Sequence, residues 1–155
     1  MSTDDGSIVL KPGEGKSVPV PGHKVTHKVV GADTGGAYSL LEIELTGDGP
    51  PQHIHKTEDE AFYVLEGEMK VLMGERTITV TAGSFVFIPR GMVHAWCRSG
   101  QEPAKILAII NPAGFELFFE EAVDLDVTDT EAYVARAQAL AEKYNMEIVG
   151  PPLDL

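Results

Sequence analysis

The chain is predicted to be an all-β protein, a sandwich or barrel of short strands finished by short C-terminal α-helices. Three observations carry that prediction. In "YSLLEIEL", residues 38–45, Leu41, Ile43 and Leu45 alternate with Glu42 and Glu44, the period of a strand with one buried face. Short apolar runs then follow one another to residue 110, separated by Gly, Pro or charged turns, a spacing that suits a sandwich or barrel. After Asn111-Pro112 the period changes, and Phe115, Phe118, Phe119 and Ala122 fall at i, i+3, i+4, i+7, the stripe of a short amphipathic helix.

With 155 residues, 1–155 is the size of a single domain with a full hydrophobic core. Residues 1–37 open with "MSTDDGSIVLKPGEGKSVPVPG", where Pro and Gly interrupt short apolar runs, and read as an N-terminal arm with one edge strand. The barrel core spans 38–111, with strands expected at 38–45, 60–65, 68–73, 77–82, 84–88, 94–98 and 104–110. Residues 112–155 hold the helices and a tail. There Thr128 and Glu131 are spaced as a capping box. Val134, Ala137, Leu140, Ala141 and Tyr144 mark one face of a second helix ending near Asn145.

Composition excludes several classes of partner. A net charge of −12 and a pI near 4.7 oppose binding to nucleic acid or anionic membrane, because repulsion precedes any contact. The lone Cys97 cannot form an internal disulfide, and the acidic start "MSTDDGS" carries no apolar export signal, so a cytoplasmic location is expected. No apolar stretch approaches the length of a membrane span.

The segment "HIHKTEDE", residues 53–60, poses the chemical question. On an extended strand His53 and His55 project side by side, as two imidazoles must to bind one cation, although a solvated strand face explains many such pairs. Around them, Gly47, five residues, His53-x-His55, four residues, Glu60, six residues and Gly67 form one motif. Gly83, five residues, Pro89-x-Gly91, two residues and His94 form another. These two motifs resemble those of the cupin superfamily, small jelly-roll β-barrels.

The resemblance implies a cupin jelly-roll barrel that binds a divalent metal through His53, His55, Glu60 and His94. One departure exists, Arg98 where the family often has Asn, and it bears on local hydrogen bonding rather than on the ligands. Three imidazoles and one carboxylate suit Fe, Mn, Co, Ni, Cu or Zn, and leave a six-coordinate ion two open positions, as catalysis requires.

Strand parity places the neighbours. With Glu60 inward, so are Phe62 and Val64; with His94 inward, so is Trp96; Leu41, Ile43 and Leu45 form the apolar face of their own strand. Phe62, Trp96, Leu41 and Ile43 are therefore the expected substrate-binding residues of an apolar, partly aromatic pocket suited to a flat ligand, although the same residues in a plain barrel would be core. Glu58 and Asp59 read as solvated turn residues, His23 and His27 as surface, and Cys97 as facing away from His94.

The segments "NPAGFELFFEEA" and "EKYNMEIVGPPLDL" resemble the bacterial single-domain cupins grouped with quercetin 2,3-dioxygenase. That resemblance implies a metal-dependent dioxygenase acting on a flavonol-like or other enolic aromatic small molecule, with Glu60 as ligand and general base. A metal-dependent isomerase, cyclase or lyase of an enolisable carbonyl compound, or a non-catalytic binding protein, would use the same residues. A homodimer is expected, since pairing covers sheet edges and exposed apolar faces.

Overall fold

The computed structural model describes residues 4–125 and 128–154. In chain order the elements are β1 (Lys16–Val20), β2 (His23–Val29), α1 (Gly31–Thr34), β3 (Ser39–Leu45), β4 (Pro51–His55), β5 (Asp59–Glu66) and β6 (Glu68–Met73). They continue with β7 (Arg76–Thr81), β8 (Phe85–Ile88), β9 (His94–Arg98), β10 (Ala104–Asn111), α2 (Glu116–Ala122), α3 (Thr130–Lys143) and β11 (Met146–Pro152). The strands form two antiparallel sheets, one ordered β1-β2-β3-β10-β5-β8 and the other β11-β4-β9-β6-β7, in the arrangement of a jelly roll. No helix of the described residues is long and apolar enough to cross a membrane.

The alternation of β3 anchors the first sheet. Val25, Ile43, Ile106 and Val64 lie in one register row across β2, β3, β10 and β5, and all four are fully buried. Leu41, Ala108 and Phe62 make the adjacent row, equally buried. Removing such side chains from water stabilises by about 1.5–3 kcal/mol each for the larger ones, which makes these rows the centre of the core.

Three parts of the sequence-based expectation change. Residues 1–37 contribute two strands and a one-turn helix rather than an arm with one edge strand. In β2, "HKVTHKV", the polar residues hide a consecutive buried run, Val25, Thr26 and His27, which does not look like a strand with one wet face. The C-terminal tail contains β11, whose Gly150, Pro151 and Pro152 obscure it; prolines are tolerated because β11 is the outermost strand of its sheet. The cap of α3 is Asp129, whose carboxylate accepts a hydrogen bond from the Ala132 amide at 3.1 Å, one residue beyond Thr128.

One glycine governs how β4 enters the barrel. A Cβ on Gly49 would lie 1.5 Å from the carbonyl oxygen of Trp96, so the two backbones can approach only without a side chain there. Gly74 differs: its φ is +61°, yet a Cβ would meet open space. Gly49→Ala should therefore cost about 3 kcal/mol or more in denaturant unfolding, or prevent folding. Gly74→Ala should cost about 1–2 kcal/mol, only for its backbone conformation. Equal losses from the two would contradict the close-approach argument.

Candidate metal centre

The two sheets meet at four buried side chains. His53 and His55 project from one face of β4, His94 stands opposite His53 on β9, and Glu60 reaches them from β5 in the other sheet. Their ligand atoms all lie within 4.8 Å of one another. His94 Nε2 is 2.9 Å from Glu60 Oε2, and His55 Nε2 is 3.4 Å from the same oxygen. The rings of His53 and His94 are 4.2 Å apart between centroids.

Outward partners orient two of the imidazoles. His53 Nδ1 donates to the Pro51 carbonyl at 2.7 Å and His94 Nδ1 to the Met92 carbonyl at 3.0 Å. Each assignment leaves Nε2 as the nitrogen available to a cation. Among the described residues His55 has no such partner: its Nδ1 is buried and unbonded, 3.9 Å from Glu58 Oε2, which is likewise buried and unbonded.

Electrostatics separates His53, His94 and Glu60. Burial lowers the His53 pKa to about 3, and the charges of His94 and His55 push the same way. For His94, burial is outweighed by the hydrogen bond and charge of Glu60, and its pKa is raised. Burial would push the Glu60 carboxyl up, but hydrogen bonds from His55 and His94, with their charges, hold it well below the usual range. Three imidazole nitrogens and one ionised carboxylate, converging out of water, are the donor set of a divalent transition-metal site. The unbonded His55 Nδ1 fits as well, because a histidine bound through Nε2 keeps its Nδ1 proton for an outer acceptor.

A cavity of about 500 Å³ opens beside this cluster, with His53, His55 and Glu60 in one wall. Trp96, Phe115, Phe118 and Phe119 supply aromatic surface, and Tyr133, Val134 and Ala137 of α3 add to the lining. Of the four residues expected to touch a substrate, Trp96 lines the cavity. Leu41, Ile43 and Phe62 are fully buried and are not among its lining residues; Phe62 reaches it only through Trp96, edge-on at 5.9 Å.

Other expectations are corrected. His23 is not a surface residue: it lines the cavity, edge-on to Trp96 at 5.3 Å and to Phe119 at 6.1 Å, and burial lowers its pKa to about 4, the Pro21 carbonyl offsetting a part. His27 is buried, with Nδ1 3.6 Å from Glu120. Glu58 is buried rather than solvated, whereas Asp59 is paired with the Arg90 side chain and backbone. Cys97 faces away from His94 as expected, yet is covered, its Sγ 3.9 Å from the Asp154 carbonyl. Phe115 was read only as helix packing, and it also meets the His55 ring edge-on at 4.4 Å.

Residues 39–110 match the family model described as Cupin domain. The chain is 31% identical over 125 residues to quercetin 2,3-dioxygenase of Bacillus subtilis (strain 168), a match covering 77% of this chain and 36% of that enzyme. It is 29% identical over 89 residues to the tetracenomycin polyketide synthase protein TcmJ of Streptomyces glaucescens, covering 57% of this chain and 58% of that one. Among solved structures, the polyketide cyclase RemF from Streptomyces resistomycificus superposes with a TM-score of 0.59 at 22% identity, over 68% of this chain and 79% of that chain. The chain thus spans little more than a third of the length of the dioxygenase it matches.

Two measurements test this centre. Protein purified without chelator should carry about one transition metal per chain, and His94→Ala should lose most of it; full occupancy in that variant would remove His94 from the ligand set. Affinity should begin to fall as pH drops through the raised His94 pKa, above 6.5, because proton and metal compete for one nitrogen. Stability of the metal-free protein should also fall on acidification. His23 is neutral when folded down to about pH 4 but protonates near 6.5 when unfolded, so protons favour the unfolded chain between those values. Its share is about 1.4 kcal/mol per pH unit in that window. Replacing His23 by Phe should flatten that slope in urea titrations.

Proposed function

We propose that this chain, which belongs to the cupin superfamily, is a metal-dependent dioxygenase of a flavonol-like or other enolic aromatic small molecule. The observation that carries the reading is the junction of the three-histidine, one-carboxylate cluster with a cavity walled by aromatic rings. Similarity to a quercetin 2,3-dioxygenase supports the reaction class. When bound, the metal supplies an electrophilic centre with open positions for oxygen ligands.

The chain's own residues do the rest. Glu60 Oε2 lies within reach of two imidazoles and in the cavity wall, placed to accept the proton of an enolic hydroxyl whose acidity a bound metal would raise. Trp96, Phe115 and Phe119 offer faces and edges to a planar ligand and keep water out of the space around it. His23, neutral at ordinary pH, stands in the same wall as a polar group for a second oxygen of the ligand.

A second reading is a metal-dependent isomerase, cyclase or lyase of an enolisable carbonyl compound, favoured by the similarity to a polyketide synthase protein. The two readings divide on oxygen. In an oxygen electrode, a turned-over flavonol should consume O2 in proportion to product; turnover without uptake selects the second reading, and binding without turnover selects a non-catalytic ligand carrier. Metal-loaded Glu60→Gln should lose about 10²-fold or more in rate while keeping much of its metal, because an amide can coordinate but cannot accept the proton. Near-normal turnover per bound metal would confine Glu60 to ligation.

The assembly we infer is a homodimer. Tyr63 of β5 and Phe85 and Phe87 of the edge strand β8 expose 45%, 61% and 53% of their surface, an aromatic patch that a second copy would cover. Phe85→Lys with Phe87→Lys should shift the solution mass from two chains to one. A monomeric parent at micromolar concentration would sink the proposal.

A further inference from the structure

We infer that Glu58, outside the ligand set, is the positioning residue for His55: on metal binding its carboxylate accepts the Nδ1–H of that imidazole and holds Nε2 towards the ion. The inference rests on the reading of the cluster as a metal site and is independent of which reaction follows.

Three observations lead to it. His53 and His94 are each fixed from behind by a backbone carbonyl, at 2.7 and 3.0 Å, and His55 is the ligand that lacks such a partner. Glu58 is 7% exposed, and its Oε2 makes no hydrogen bond among the described residues. A buried carboxylate oxygen and a buried imidazole nitrogen are both costly to leave unbonded. The two stand 3.9 Å apart, about 0.7–1 Å beyond hydrogen-bond range. Both atoms are screened from solvent, so direct approach, rather than a bridging water, is the simplest way to satisfy them.

The geometry leaves room for that approach. In this structure His55 Nε2 is 3.4 Å from Glu60 Oε2, a loose contact, and its ring meets those of Phe115, His53 and His94 at 4.4, 4.9 and 5.2 Å between centroids, with no hydrogen bond fixing its Nδ1 side among the described residues. A small tilt of His55 or a rotation of Glu58 closes the gap. The result is a carboxylate–histidine–metal relay in which the outer carboxylate fixes the tautomer and raises ligand basicity. The neighbouring Asp59 is already engaged with Arg90 through hydrogen bonds, whereas Glu58 Oε2 makes none among the described residues.

The experiment compares Glu58→Ala, Glu58→Gln and Asp59→Asn with the parent, each stripped of metal and titrated with Co(II) and Zn(II) against a competing chelator. We expect about 10- to 100-fold weaker binding in Glu58→Ala, partial recovery in Glu58→Gln because an amide oxygen can still accept, and no change in Asp59→Asn. Co(II) absorption bands should shift in Glu58→Ala, while thermal unfolding of the metal-free variant stays level or rises, since a buried carboxylate oxygen without a hydrogen bond has been removed. Parent-like affinity and Co(II) spectrum in Glu58→Ala overturn the proposal. So does a loss of affinity matched by a loss of metal-free stability, which marks a structural role. If the parent itself takes up no metal, the reading of the centre fails and this inference falls with it.

Discussion

Everything near the centre depends on one constraint: an ionised carboxylate and three imidazoles share a space where each is at most 4% exposed. Glu60 is held ionised only because two histidines from the opposite sheet point at it. The cluster therefore joins the sheets electrostatically at the place where the apolar rows of the core stop. Remove one partner and the others are left desolvated and unpaired, which is far more costly than losing a surface ion pair.

Register and close approach convert that constraint into geometry. His53 faces His94 because β4 pairs with β9, and that pairing requires the bare backbone of Gly49 against Trp96. On its other side β4 is paired along its length with β11, with Ile148 opposite His53 and Met146 opposite His55. The strand that carries His53 and His55 is thus an interior strand, paired along its length on one edge and at His53 on the other, where the Gly91 amide also donates to the His55 carbonyl. The helices then supply the wall a barrel alone would lack, with Phe115 against a ligand ring and Tyr133, Val134 and Ala137 in the cavity lining.

Much of this was legible in the residues. The alternation of Leu41, Ile43 and Leu45 marks a strand wherever it stands, and the spacing of His53, His55, Glu60 and His94 gathers these four side chains because it is tied to strand and turn lengths. Properties set by long-range pairing were not legible. His23 reaches the cavity through contacts with Trp96 and Phe119, more than seventy residues away, and nothing in "HKVTHKV" distinguishes it from a surface histidine. Glu58 looks like a turn acid because local polarity cannot report burial by distant elements. Parity placed Phe62 and Leu41 inward correctly, but inward is not the same as cavity-facing: with Trp96 between Phe62 and the open space, the apolar row becomes packing.

The position of Trp96 has an optical consequence. It is the sole tryptophan of the chain, it lies two residues from a ligand histidine, and it borders the cavity with the His23 edge against its ring. Indole emission responds to nearby rings, charges and transition ions, and here all of it arises at this wall. A change in intrinsic fluorescence would therefore report events at the centre without any label, and the folded molecule carries its own gauge of occupancy.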